Sequence, residues 1–127
     1  MDQKGFSISR LIKSFGYALK GIATAYSKGQ VNIKIHTCVA ILTIALSILL
    51  SISTFEWVCI ILCIGLVIAA EMTNSAIETL VDLVSPEWHE KAGSVKDIAA
   101  GAVLVLAATS VVVGAIIFLP KIIALLS

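Results

Sequence analysis

Glu71, Asn74, Glu78 and Asp82 recur at i, i+3, i+7 and i+11. On a helix turning about 100° per residue, these positions fall within roughly 80° of one another. Three acids and one amide therefore share a face, with no basic residue among Thr79, Leu80, Val81 and Leu83 beside them. Like charges at this spacing repel, and a carboxylate near hydrocarbon is costly to bury. A bound cation removes both penalties. Hard oxygen donors without neighbouring Cys or His suit Mg²⁺ or Ca²⁺ rather than zinc. The plainer alternative is a solvated, acidic helix end. Lys96 and Asp97, which start the third span at the same cytoplasmic level, are the expected partners of this face. Lys96 is suited to hold a phosphate as a point charge, and Asp97 to orient Lys96, assist a metal or cap a helix.

These residues sit in an apolar chain. Of 127 residues, 59% are hydrophobic and 13% charged, and the mean hydropathy is +1.06. Soluble domains average about 25% charged residues, so a soluble globule and a disordered chain are both disfavoured. A net charge of +1 gives no electrostatic footprint for nucleic acid. An all-α integral membrane protein of one domain over 1–127 remains. Cys38, Cys59 and Cys63 lie in apolar runs without CxxC spacing, which argues against disulfides and zinc. GxxxxGK[ST] and GxGxxG are both absent, and His36 and His89 are not spaced as a metal pair.

Three spans are expected, at about 33–54, 56–83 and 96–120, since a crossing needs roughly 20 residues. The second is long enough only if its far half, with Glu71, Glu78 and Asp82, leaves the lipid or faces protein. Trp57 is placed like an interfacial anchor. The link 84–95 contains Ser85-Pro86 and Gly93 and is expected to break the helix. Ahead of the spans, about 6–28, the apolar positions Ile8, Leu11, Ile12, Phe15, Leu19, Ile22 and Tyr26 fall on one side of a helical wheel. Arg10, Lys13, Tyr17, Lys20 and Lys28 fall on the other. The pattern reads as an amphipathic helix on the membrane surface, or as a plain anchor whose lysines meet anionic lipid. With basic groups scattered through it and no following apolar core, no cleavable signal peptide is expected. Six basic residues, Lys4, Arg10, Lys13, Lys20, Lys28 and Lys34, precede the first span, and the next link has none. The positive-inside rule places the N-terminus and the 84–95 link in the cytoplasm and the C-terminus outside. Small residues in the third span, among them Ala99 to Ala102 and Ser110-x-x-x-Gly114, favour close helix packing.

The run Glu71-Met-Thr-Asn74-Ser-Ala-Ile-Glu78-Thr-Leu-Val-Asp82, followed by Glu87-Trp88-His89 and Lys96-Asp97, closely resembles the signature of the prokaryotic diacylglycerol kinase family, which includes undecaprenol kinases. The resemblance extends to Arg10-Leu-Ile-Lys13-Ser-Phe-Gly16-Tyr17-Ala-Leu-Lys20-Gly21, and Asn32-Ile-Lys34-Ile-His36 looks like the undecaprenol kinase branch. It implies a homotrimer in the bacterial cytoplasmic membrane, with an N-terminal amphipathic surface helix and three transmembrane helices in each chain. It also implies ATP- and Mg²⁺-dependent phosphorylation of a lipid hydroxyl, on undecaprenol or diacylglycerol, at the cytoplasmic face. On that resemblance Glu71 is the general base, Asn74 a supporting polar group and Glu78 a metal carboxylate. Lys96, Asp97, Glu87, Trp88, His89, Arg10 and Tyr17 contact the nucleotide. The family places a second metal-binding glutamate before the first span. Its slot falls on Gly29 or Gln30, depending on which end the count starts from, and neither is a carboxylate. Either Gln30 ligates through its neutral carbonyl, or another acid substitutes, or this copy is impaired. Two other classes stay open: an oligomeric cation channel or proton relay lined by Glu71 and Glu78, and a structural or regulatory membrane subunit. Neither uses Lys96-Asp97 together with the basic helix.

Overall fold

A computed structural model describes residues 7–27 and 29–127, and every regular element in it is helical. The elements are α1 (Ile8–Ala25), α2 (Val31–Leu49), α3 (Thr54–Val84) and α4 (Glu90–Leu126). Positions 6 and 28 of the expected surface helix, together with Lys4, lie outside the described residues. The other three helices are each long and apolar enough to cross a membrane. α3 packs along both α2 and α4, which scarcely touch each other, and α1 meets α3 only slightly.

The sequence explains where the helices turn. Ser47, fully buried, donates its hydroxyl to the Thr43 carbonyl, so it enters the packed face without an unmet polar atom. Ser51 takes a left-handed conformation, φ 47°, and closes the link between α2 and α3. Ser53 then caps α3 through a reciprocal capping box. Glu56 N–H donates to Ser53 Oγ at 3.3 Å, and Ser53 N–H donates to Glu56 Oε2 at 2.7 Å. Glu56 also pairs with Lys121 of α4 at 3.2 Å. Next to this turn lies the main buried cluster, Ile52, Ile60, Ile117 and Phe118, with Trp57 packed against it. Trp57 is thus part of the packing between helices.

α4 corrects two expected boundaries. The break after α3 is confined to Ser85 through His89, and Gly93 lies inside α4. His89 caps the new helix: its Nδ1 accepts from Lys91 N–H at 3.2 Å, and its carbonyl accepts from Gly93 N–H at 3.0 Å. Pro86 suffices to stop α3, whereas one glycine costs a helix only about 1 kcal/mol. At the other end α4 runs through Pro120 to Leu126. Proline removes one backbone hydrogen bond there, and Lys121 is held in the helix by Glu56.

Candidate active site

The polar face of α3 is graded by depth. Glu71, at 3% exposure, and Asn74, at 4%, are buried; Glu78 is half-buried and Asp82 exposed. A purely solvated acidic helix end is therefore not what forms. α2 supplies the cover: its Ile33 is buried, and its His36 places Nε2 3.9 Å from Glu71 Oε2. Asn74 Nδ2 donates to Glu78 Oε1 at 3.1 Å, fixing the half-buried carboxylate from one turn away. Asn74 Oδ1 is buried and, among the described residues, accepts no hydrogen bond. Such an orphan acceptor is uncommon in a packed interior.

Of the two positions in doubt before the first span, Gly29 is a turn residue at φ +92° and carries no side chain. Gln30 is the residue that reaches α3. α1 has already ended at Tyr26, so Gln30 does not cap the surface helix. It stands at the start of α2, and its Oε1 accepts from Ser75 Oγ at 3.1 Å. Gln30, Asn74, Ser75 and Glu78 therefore cluster at one end of the bundle. Among the described residues, no group of three or more His, Cys, Asp or Glu side chains gathers at metal-ligating distance. The available donors are one carboxylate and two amide oxygens, a hard set that fits Mg²⁺ completed by waters and phosphate oxygens.

Lys96 joins the same end from α4. Its ammonium donates to Asp82 Oδ1 at 2.9 Å, tying α4 to the outer end of the acidic face. One of its three N–H groups is used, which leaves two for an anion. Asp97 is exposed within α4, beyond its first turn, so it does not cap the helix. Glu87 and Trp88 are exposed in the link before α4, Trp88 at 89%. His89 has Nδ1 committed to its cap. Arg10 and Tyr17 are exposed on α1 and make no side-chain hydrogen bond or ion pair among the described residues. Within one chain Gln30 bonds Ser75, Asn74 bonds Glu78, His36 stands near Glu71 and Lys96 pairs with Asp82, while among the described residues Arg10 and Tyr17 make no bond to any of them.

Two residues of the site carried no decisive signal in the sequence. Ser75 reads as an ordinary small helix residue until Gln30 is seen opposite it. His36 belongs to a different helix from Glu71, and no spacing rule links them. Only the Asn32–His36 resemblance hinted that it mattered.

From His36 an apolar groove of about 440 Å³ runs between α2 and α4 over α3, bordered by Val39, Thr43, Val67, Ser110 and, at its far end, Phe118. A buried carboxylate thus stands where a hydrocarbon-lined space meets a graded polar face.

Residues 16–118 match the family described as prokaryotic diacylglycerol kinase. The chain is 38% identical over 123 residues to undecaprenol kinase of Bacillus subtilis strain 168, covering 95% of this chain and 99% of that one. It is 38% identical over 117 residues to diacylglycerol kinase of Synechocystis, covering 91% and 66% respectively. With diacylglycerol kinase of Escherichia coli strain K12 it shares 31% identity over 104 residues, covering 82% and 84%. A match over this much of the chain, on three membrane-length helices, sets aside the cation relay and the structural subunit. The protein belongs to the prokaryotic diacylglycerol kinase family.

Proposed function

We propose that this protein transfers the γ-phosphate of ATP to the hydroxyl of a membrane lipid, with undecaprenol as the first candidate and diacylglycerol as the second. The observation that carries the reading is the graded face of α3. It leads from buried Glu71 at the groove to the exposed Asp82–Lys96 pair. A donor dissolved in water and an acceptor dissolved in lipid can meet only at such a boundary. Undecaprenol comes first because of the Asn32–His36 segment and the 38% identity to the Bacillus subtilis undecaprenol kinase across nearly all of both chains.

Phosphoryl transfer asks a protein mainly for positioning and charge neutralisation. The lipid hydroxyl oxygen attacks the γ-phosphorus, the bond from that phosphorus to the β,γ-bridging oxygen breaks, and ADP leaves. Glu71 takes the hydroxyl proton as general base; its place nearest the apolar groove suits it to the lipid side. Asn74 steadies Glu78. Lys96 offers its two remaining N–H groups to phosphate. Glu78, Gln30 and the unsatisfied Asn74 Oδ1 would hold Mg²⁺, whose charge offsets that of the transferring phosphate. Arg10, Tyr17, Glu87, Trp88, His89 and Asp97 are assigned to the nucleotide. Since Arg10 and Tyr17 make no bond to the site of their own chain among the described residues, the reading includes a homotrimer in which neighbouring subunits complete each site. The basic N-terminal segment supports a site on the cytoplasmic face of the bacterial inner membrane. The test is radiolabelled phosphate transfer from ATP with undecaprenol and dioctanoylglycerol in mixed micelles. Label entering either lipid, dependent on Mg²⁺, is expected. Label entering neither would sink the reading.

A further inference from the structure

Tyr26 ends the apolar stripe of α1, yet its hydroxyl meets α2. Tyr26 Oη and Thr37 Oγ1 stand 2.7 Å apart, and both residues are half-buried. What Thr37 does next gives the bond its direction. Its single hydroxyl proton goes to the Ile33 carbonyl at 2.7 Å, so Tyr26 donates and Thr37 accepts. Among the described residues, this is the one side-chain hydrogen bond or ion pair that joins residues 7–27 to α2, α3 or α4.

α1 has little else to set its direction. It buries none of its residues and meets α3 only slightly. An apolar face laid on a membrane holds a helix in the plane of the surface, but leaves its heading within that plane free. The corner itself turns at Gly29, φ +92°, where glycine permits the turn without bracing it. Beyond the corner, Gln30 is tied to Ser75 of α3. Tyr26–Thr37 thus joins the end of α1 to a part of α2 that is already held.

The lever is long. From Tyr26 back to Arg10 is roughly 24 Å along the helix, at 1.5 Å per residue. Over that length a swing of about 10° carries Arg10 roughly 4 Å, more than the whole length of a hydrogen bond. Arg10 and Tyr17 share one face of α1, so they move together.

We propose that Tyr26 is a positioning residue whose hydroxyl bond to Thr37 fixes the heading of α1 and so places Arg10 and Tyr17 against the nucleotide. The proposal rests on the lipid-kinase reading above and adds what aims the surface helix.

Two readouts test it. In the first, ATP is varied at saturating Mg²⁺ with whichever lipid the wild type phosphorylates. Tyr26→Phe keeps the ring and removes the donor; Thr37→Val keeps the shape and removes the acceptor. Each should raise KM for ATP about three- to tenfold, with kcat and KM for lipid within about twofold of wild type. The double variant should be no worse than the worse single one. Thr37→Ser restores the acceptor and should return KM for ATP to near the wild-type value. A fall in kcat with KM for ATP unmoved, additive losses in the double variant, or no recovery in Thr37→Ser overturns the proposal. The second readout needs no turnover. Spin labels at Ser14→Cys on α1 and Ser94→Cys on α4, with the native cysteines replaced and labelled chains diluted into unlabelled ones, report the heading of α1 as a distance distribution. It should broaden when Tyr26→Phe is added, and an unbroadened distribution overturns the proposal. Wild-type protein that phosphorylates neither lipid removes the function reading and the placing role with it. A broadened distribution with KM for ATP undisturbed removes the placing role alone.

Discussion

Glu71 and Glu78 are the same residue type seven positions apart, yet they differ in burial and in partners. Glu71 is enclosed at the groove; Glu78 is half-buried and held by Asn74. If Glu71 is the general base, Glu71→Gln keeps the shape and removes the base, so turnover should fall about 10²–10⁴-fold. Assembly and ATP binding, followed by gel filtration and nucleotide titration, should persist; turnover within twofold of wild type excludes Glu71 as the base. The amide at Gln30 raises a second question of charge. It offers a lone pair but no negative charge, so Gln30→Glu should lower the Mg²⁺ concentration giving half-maximal activity, whereas Glu78→Gln should raise it. Titrating Mg²⁺ at fixed ATP for both variants decides this. An unmoved midpoint in Gln30→Glu would return Gln30 to a structural role through Ser75. The acidic face itself was legible from spacing alone. Its burial was not, because α2, which covers it, comes from a distant part of the chain.

Among the elements, the turn between α2 and α3 is the most closely specified. Ser53 and Glu56 satisfy two backbone donors reciprocally, and Glu56 reaches Lys121 across to α4. Ser53→Ala should destabilise the fold by about 1 kcal/mol, as loss of a helix cap does. Denaturation in mixed detergent micelles is the measurement, and an unchanged midpoint would show the capping box to be dispensable. Lipid phosphorylation in the folded protein should be unaffected, since the turn lies at the far end of the bundle from Glu71. The second turn shows where local signals mislead. Pro86 stops α3 as its chemistry requires, but Gly93 sits in the first turns of α4, where its weak helix preference is overruled by the His89 cap and by the length of packed helix that follows.

For the whole molecule, the proposed reading is a homotrimer whose sites are shared between chains. α1 buries none of its residues, and among the described residues Arg10 and Tyr17 make no bond to the site of their own chain. If neighbouring chains complete each site, co-assembling two inactive variants, Glu71→Gln and Arg10→Ala, should restore activity, because some mixed sites then draw an intact residue from each chain. No recovery in mixed trimers would place the whole site within one chain. Orientation is tested separately. Five basic residues precede α2, a sixth, Lys34, lies in its first turn, and none lie between α2 and α3. Ser127→Cys in intact cells, with the native cysteines replaced, should therefore react with an impermeant maleimide from outside. Labelling only after the inner side is opened would reverse the topology and leave the acidic face away from cytoplasmic ATP.

Composition and hydrophobic run length alone determined a membrane-embedded helical chain with three crossings, because a bilayer admits few other solutions for 59% apolar residues. Spacing alone determined that Glu71, Asn74, Glu78 and Asp82 share a face, since helical geometry is local. Only the tertiary structure decided that Gln30 rather than Gly29 meets α3, that Lys96 pairs with Asp82, and that His36 stands 3.9 Å from Glu71 at the head of an apolar groove. Each of those depends on how α2 and α4 pack against α3. That register is set by the summed shape of many side chains, such as Ile33, Val67 and Ala99, and no short motif encodes it.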